Sequence, residues 1–249
     1  MILLLAYYPD VQLKLRNELD KFIMSTSSSS NSSITTNVEQ QQQSIGPNHK
    51  HQFPYTMAFI YETLRFRNVV PFGLLHRSMA KTTIDNKYPV PDNTVVLFNH
   101  YAILMDDQHW PSARTFKPER FLSGFNDNDN TNNDNQTTTT TSSGQLASSR
   151  VRLNKSQAFM PFGFGRRQCL GIKLAVNELF YVLVQFLRLT NNYDIVYDTN
   201  CTDKLQSTTT GATGNDVDDD VDNVLDGDNI SVIDQLTKPY KIILKTKSN

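Results

Sequence analysis

Cys169 sits in the stretch "FMPFGFGRRQCLG" (159–171), where glycines, arginines and a run of aromatic side chains surround a single thiol. The thiolate is the form of cysteine that attacks electrophiles and binds metals, and nearby positive charge or a helix N-terminus favours it. Arg166 and Arg167 stand just before Cys169, and an apolar helical pattern follows. Both influences point the same way. Gly163, Gly165 and Gly171 remove side chains where a loop bends tightly or where a flat cofactor could lie against backbone. Phe162 and Phe164 offer apolar surface that keeps water from the sulfur. The plain alternative is a cysteine that only packs, the commoner fate of a thiol near a helix start.

Other chemistries fit the same residues less well. Gly163 and Gly165 begin a Gly-x-Gly, but the third glycine of a dinucleotide-binding loop would fall at position 168, which is Gln168, and no parallel strand precedes it. The other cysteine, Cys201, has no spacing to Cys169 that suggests zinc, and two thiols are too few for a disulfide framework. A cysteine-nucleophile hydrolase needs a histidine base that no motif places, and it would leave the arginines without a role. Elsewhere Glu62 and Arg65, in "YETLR", are spaced to share a helix face. Taken alone, such a pair is a surface contact worth roughly a few tenths of a kcal/mol.

Phe162, Gly165, Arg167, Cys169 and Gly171 match F-x-x-G-x-R-x-C-x-G at every fixed position. In this the chain resembles the cytochrome P450 family, whose haem is held by a cysteine thiolate. The resemblance implies haem b as cofactor, Cys169 as the proximal iron ligand and Arg167 as the partner of a haem propionate. "YETLR" resembles the family's E-x-x-R pair and "FKPERF" its P-E-R-F segment, whose arginine is here Arg120. By that likeness Glu62, Arg65 and Arg120 form a buried network supporting the cysteine loop. His76, in "LLHRS", stands where many members place a propionate-binding residue; an exposed strand histidine is the alternative. The apolar segment 69–75, "VVPFGLL", would border the cavity of a lipophilic substrate, or pack as a core strand.

At family level the resemblance implies a haem-thiolate monooxygenase that takes electrons from a flavoprotein reductase and uses dioxygen to hydroxylate a lipophilic organic substrate. Intact members are usually anchored in the endoplasmic reticulum membrane, on its cytoplasmic side. The likeness covers the C-terminal half of a member, from residue 1 to the C-terminus apart from insertions. The family's acid-alcohol string, A/G-G-x-D/E-T-T, does not occur. The competing expectation is therefore a truncated, inactive chain that at most binds haem.

Positioning these residues falls to a modest folded unit. The chain has 249 residues, but its 38% hydrophobic content is concentrated outside three polar, low-complexity tracts at about 25–50, 123–154 and 207–228, which read as disordered insertions. With 24 basic and 25 acidic residues there is no electrostatic case for nucleic acid or a strongly anionic surface. The opening "MILLLAYYPD" is apolar only as far as Pro9, well short of the ~20 residues of a membrane span, has no features of a signal peptide, and reads as the end of a buried helix. From Pro9 a helix follows with Val11, Leu15, Leu19 and Phe22 on one face and Lys14, Arg16, Glu18 and Lys21 elsewhere on the wheel.

A second helix over 55–66 carries Met57, Ile60, Tyr61 and Leu64 on one face and cannot run past Pro71. Between 69 and 98 the runs "VVPFGLLHRS", "KTTID" and "TVVLFN", with the turn "NKYPVPDN", predict a small irregular sheet. "HWPSARTFKPERFL" reads as a loop held by its side chains. "LAVNELFYVLVQFLRL" is apolar enough to predict a fully buried helix, with Glu178, Gln185 and Arg188 arguing against a membrane span, and the tail closes in a strand. The fold expected is mainly α with a small β-sheet, one partial domain over 1–249 that forms the C-terminal portion of the cytochrome P450 fold.

Overall fold

Prolines and apolar periods set the helices of the N-terminal third. The structure, a computed structural model, describes residues 1–27, 45–122, 158–198 and 241–247. Helix α1 (Ile2–Tyr7) buries Leu3, Leu4 and Leu5 and gives way at Tyr8 to α2 (Pro9–Ser27), with Pro9 in the first turn where its missing N–H costs nothing. The expected face of α2, Val11, Leu15, Leu19 and Phe22, is buried. Arg16 departs from expectation: it is buried too, and donates to the carbonyls of Leu187 (3.1 Å) and Tyr193 (2.8 Å). An arginine whose donors all find carbonyls can sit inside, which no polar/apolar pattern reveals.

The tracts read as insertions fall for the most part outside the described residues. At the edges of the first, order reaches into the 25–50 range: α2 runs on to Ser27, and Ile45 is buried ahead of a 3-10 turn (Pro47–Gln52). That turn is held by Lys50 on Asn177 and by His49 against Phe22. Helix α3 (Pro54–Phe66) is buried nearly all round, Glu62 and Arg65 included. Its neighbours on one side are α2 and α5 (Ile172–Leu189), and on the other the loop around Trp110.

The β structure differs from the single sheet expected. Strand β1 (His76–Arg77) pairs antiparallel with β4 (Val95–Val96), and β2 (Thr82–Ile84) pairs with β3 (Tyr88–Val90), as separate two-stranded ladders. β3 lies inside the stretch read as a turn; the turn itself is Asp85–Asn86, both left-handed, which suits a tight hairpin. In 69–75, Pro71 and the left-handed Gly73 (φ +63°) prevent a strand. A short helix α4 (His100–Leu104) follows, capped by Asn99, whose side chain accepts from the Ala102 amide at 2.9 Å. The "HWPSARTFKPERFL" loop is held by its side chains as expected, with Trp110, Phe116 and Phe121 buried.

Helix α5 is half-buried rather than fully buried. Val176, Phe180, Leu183, Val184 and Leu187 face the core, while Leu174, Tyr181, Val182 and Leu189 are exposed. The chain continues into β5 (Tyr193–Tyr197), which pairs antiparallel with β6 (Ile242–Thr246), the strand expected in the tail. One apolar cluster joins α1, α2, α3 and α5 through Phe53 and Phe116; a smaller one gathers Ala58, Trp110, Ala113 and Phe121. No helix among the described residues is long and apolar enough to cross a membrane.

Candidate functional site

The loop before α5 is bent at two glycines. Gly163 (φ +73°) and Gly165 (φ +72°) occupy the left-handed region that side chains disfavour. The Gly163 amide donates to the Met160 carbonyl (3.0 Å), and the Gln168 amide to the Gly165 carbonyl (3.2 Å), which closes a 3-10 turn over Gly165–Arg167. The Cys169 amide then donates to the Phe162 carbonyl at 3.0 Å and folds the loop back on itself. Gly171 has no such dihedral; it is the N-cap of α5, and a Cβ there would stand 3.7 Å from the Cys169 Sγ, an ordinary contact.

This geometry turns the thiol outward. Cys169 is exposed, as are Arg166 and Arg167, and Leu170 beside it is 102% exposed. Phe162 is half-buried against the main core and braces the loop from beneath. Phe164 points the other way, exposed, and meets Phe98 edge-on at 5.7 Å.

Through Phe98 the loop reaches His76. The His76 ring packs edge-on against Phe98 at 5.6 Å, so the chain His76, Phe98, Phe164 brings β1 beside the cysteine loop. His76 is half-exposed on a strand of two residues, opposite Val96. Being on a strand and being near the loop are therefore compatible. Val69, Leu74 and Leu75, from the segment between α3 and β1, are exposed on large apolar side chains.

Glu62, Arg65 and Arg120 meet in a buried cluster. Arg65 grips Glu62 with Nε to Oε2 (2.8 Å) and Nη2 to Oε1 (2.9 Å), both side chains wholly buried. Glu62 Oε1 also accepts from Arg120 Nε (3.0 Å) and from the Lys117 amide (2.8 Å). The remaining guanidinium donors go to carbonyls: Arg65 to Leu104 (2.8 Å), Arg120 to Pro111 (3.0 Å), Ser112 (3.3 Å) and Thr115 (3.0 Å). These bonds fix the loop that carries Trp110 and Phe121. Phe159, at the head of the cysteine stretch, packs on that loop and on α3, with ring centroids 5.1 Å from Phe121 and 5.8 Å from Tyr61. The network thus reaches the cysteine loop through aromatic packing.

Sequence reasoning passed over two residues at this junction. Trp110 stacks its ring 5.6 Å from the Arg65 guanidinium, and its place as the single tryptophan in a proline-flanked loop is the signal that was available. His100, at the start of α4, lies between Gly73 and Gly163. No motif marks it.

The donor set on the exposed face is a thiol, cationic side chains and apolar side chains. Among the described residues no group of His, Cys, Asp and Glu comes together that could cage a metal ion. A metal held here at Cys169 would arrive with most of its own ligands. That fits haem, whose ring nitrogens hold the iron and whose apolar disc ends in anionic propionates.

Comparison with known proteins agrees. Residues 1–198 match the family profile described as Cytochrome P450. Curated relatives include "Probable cytochrome P450 508A4" of Dictyostelium discoideum, 30% identical over 78% of this chain and 32% of the relative. "Cytochrome P450 2J1" of Oryctolagus cuniculus is 30% identical over 75% of this chain and 29% of the relative, and "Vitamin D(3) 25-hydroxylase" of Sus scrofa is 29% identical over the same shares. The chain thus spans about a third of the length of the relatives it matches. The match stops at residue 198, ahead of β6.

Proposed function

Because the chain belongs to the cytochrome P450 family, we propose that it is the C-terminal portion of the family's domain and forms the thiolate-bearing side of a haem monooxygenase. The observation that carries this is the exposed Cys169 thiol, on a loop bent by left-handed Gly163 and Gly165 and flanked by Arg166 and Arg167. Cys169 would supply the thiolate that holds the iron, and Arg167, with His76 from β1, would pair with the propionates by charge-assisted hydrogen bonds. Phe162 braces the loop, Gly165 permits its bend, and Gly171 leaves the sulfur uncrowded before α5. Glu62, Arg65 and Arg120 hold the loop from behind.

Bound there, haem supplies the redox chemistry by which an oxygen atom of dioxygen enters an organic substrate. This chain's share is to hold, orient and shield. The exposed Val69, Leu74 and Leu75 form an apolar wall suited to a lipophilic substrate, and the electrons come from a flavoprotein reductase. As in intact family members, the working site is at the cytoplasmic face of the endoplasmic reticulum. The low-complexity tracts are insertions into the family's domain, as their polar composition supports.

A second reading is an inactive chain that binds haem without turnover. It is favoured by the exposure of Leu74, Leu75 and Leu170, which nothing among the described residues covers. An open distal face would admit water and dissipate reactive species. Both readings put the thiolate at Cys169. The full chain, loaded with haem, reduced and exposed to carbon monoxide, is expected to show the thiolate-type Soret band at about 450 nm. Cys169→Ser should lose it, and a band that survived this substitution would refute the assignment. Oxygen-dependent product formation in the presence of a reductase separates the enzyme from the inactive chain.

A further inference from the structure

His100 is 7% exposed and sits where the cysteine loop meets the apolar wall. Its Cε1 lies 2.9 Å and its Nε2 3.1 Å from the position a Cβ on Gly73 would take, and Cε1 lies 3.9 Å from that of Gly163. No side chain larger than hydrogen fits at Gly73 while the ring is in place, and Gly73 is left-handed besides. The backbone around the ring is tied to the same segment. The Tyr101 amide donates to the Pro71 carbonyl (2.8 Å), the Gly73 amide to the Val70 carbonyl (3.1 Å) and the His100 amide to the Phe98 carbonyl (3.0 Å).

The His100 Nδ1 is buried and has no hydrogen-bond partner among the described residues. Burial, with the nearby His76, pushes the His100 pKa down against an opposing backbone hydrogen bond at Val70.

We propose that His100 is a positioning residue: its ring is the spacer that locks segment 69–75 against the cysteine loop and so fixes the apolar wall relative to the Cys169 sulfur. The proposal rests on the haem-thiolate reading for its functional meaning, but the clamp itself is a property of the chain without haem. The ring lies against Gly73, and its Cε1 stands 3.9 Å from where a Cβ on Gly163 would be, so the two segments should loosen together when it is removed.

The test is hydrogen exchange of the full chain, read on peptides covering 69–75 and 160–170, in the wild type, His100→Ala and His100→Leu. His100→Ala is expected to speed exchange about tenfold or more in both segments, with α2 unchanged. His100→Leu, which keeps the bulk, is expected to leave both protected. In the haem-loaded protein His100→Ala should also convert at least about half of the reduced carbonyl complex away from its thiolate-type band, while His100→Leu retains it. Loosening of one segment alone, of neither, or of both in the Leu variant would overturn the clamp. If His100→Ala unfolds α2 as well, the Leu variant decides by the same criterion. Failure of the wild type to bind haem would sink the haem reading and still leave the exchange result to judge the clamp.

Discussion

Glu62 is one wholly buried carboxylate facing the wholly buried Arg65 guanidinium, the nearly buried Arg120 guanidinium and a backbone amide. Removing it would strand the Arg65 and Arg120 charges in the interior, whereas the contact between Lys14 and Glu119 (2.6 Å) leaves its lysine half in solvent. Glu62→Ala is therefore expected to cost about 3–5 kcal/mol, and Lys14→Ala less than about 1 kcal/mol, with urea unfolding midpoints as the measure. Equal losses would mean that the buried cluster is not the support described. At this scale the sequence was most legible where spacing brings residues together: Glu62 and Arg65, three apart, are buried on α3 and bonded to each other, with Arg120 bonded to Glu62, while Cys169 and Arg167 are exposed in the loop. Arg16 and Gln12 were not legible. Both are buried because they satisfy backbone groups outside their own helix, Gln12 at Leu5 and Ile195, Arg16 at Leu187 and Tyr193, and all of these but Leu5 are far away in sequence.

Between elements, polar side chains do what local caps do elsewhere. Helix α3 begins at Pro54 with Phe53 at its N-cap, which offers no side-chain acceptor. Glu18 of α2 fills that role, accepting from the amides of Tyr55 (2.7 Å) and Thr56 (2.8 Å) and from the Thr56 hydroxyl (2.7 Å). Burial pushes the Glu18 carboxyl above its ordinary range, and the bonds from Thr56 and Tyr55 pull against that. Glu18→Ala is expected to destabilise the chain by about 1–2 kcal/mol, the cost of a lost cap, with Glu18→Gln losing less; thermal unfolding of the variants checks the order. Helices α2 and α3 were readable because a helical period and a starting proline coincide. Helix α5 differs from the expectation because apolar content says how much surface a helix could bury, and Leu174, Tyr181, Val182 and Leu189 are left exposed by the described residues. Strands β1 and β4, of two residues each, are too short for alternation to register.

On the scale of the molecule, the candidate site is assembled from segments far apart in the chain: 69–76, the residues around Phe98 and His100, and the loop 159–171. The network at Glu62 and the ring at His100 are the means by which α3 and α4 hold these parts together. The proposed function nonetheless depends on one bond, from the Cys169 sulfur to iron. Resonance Raman of the haem-loaded full chain, with natural-abundance and 54-iron, measures that bond directly. With Cys169 as the ligand, an iron–sulfur stretch should shift with the isotope, persist in Cys201→Ser and disappear in Cys169→Ser; a stretch that remains in Cys169→Ser, or vanishes in Cys201→Ser, would contradict that ligation.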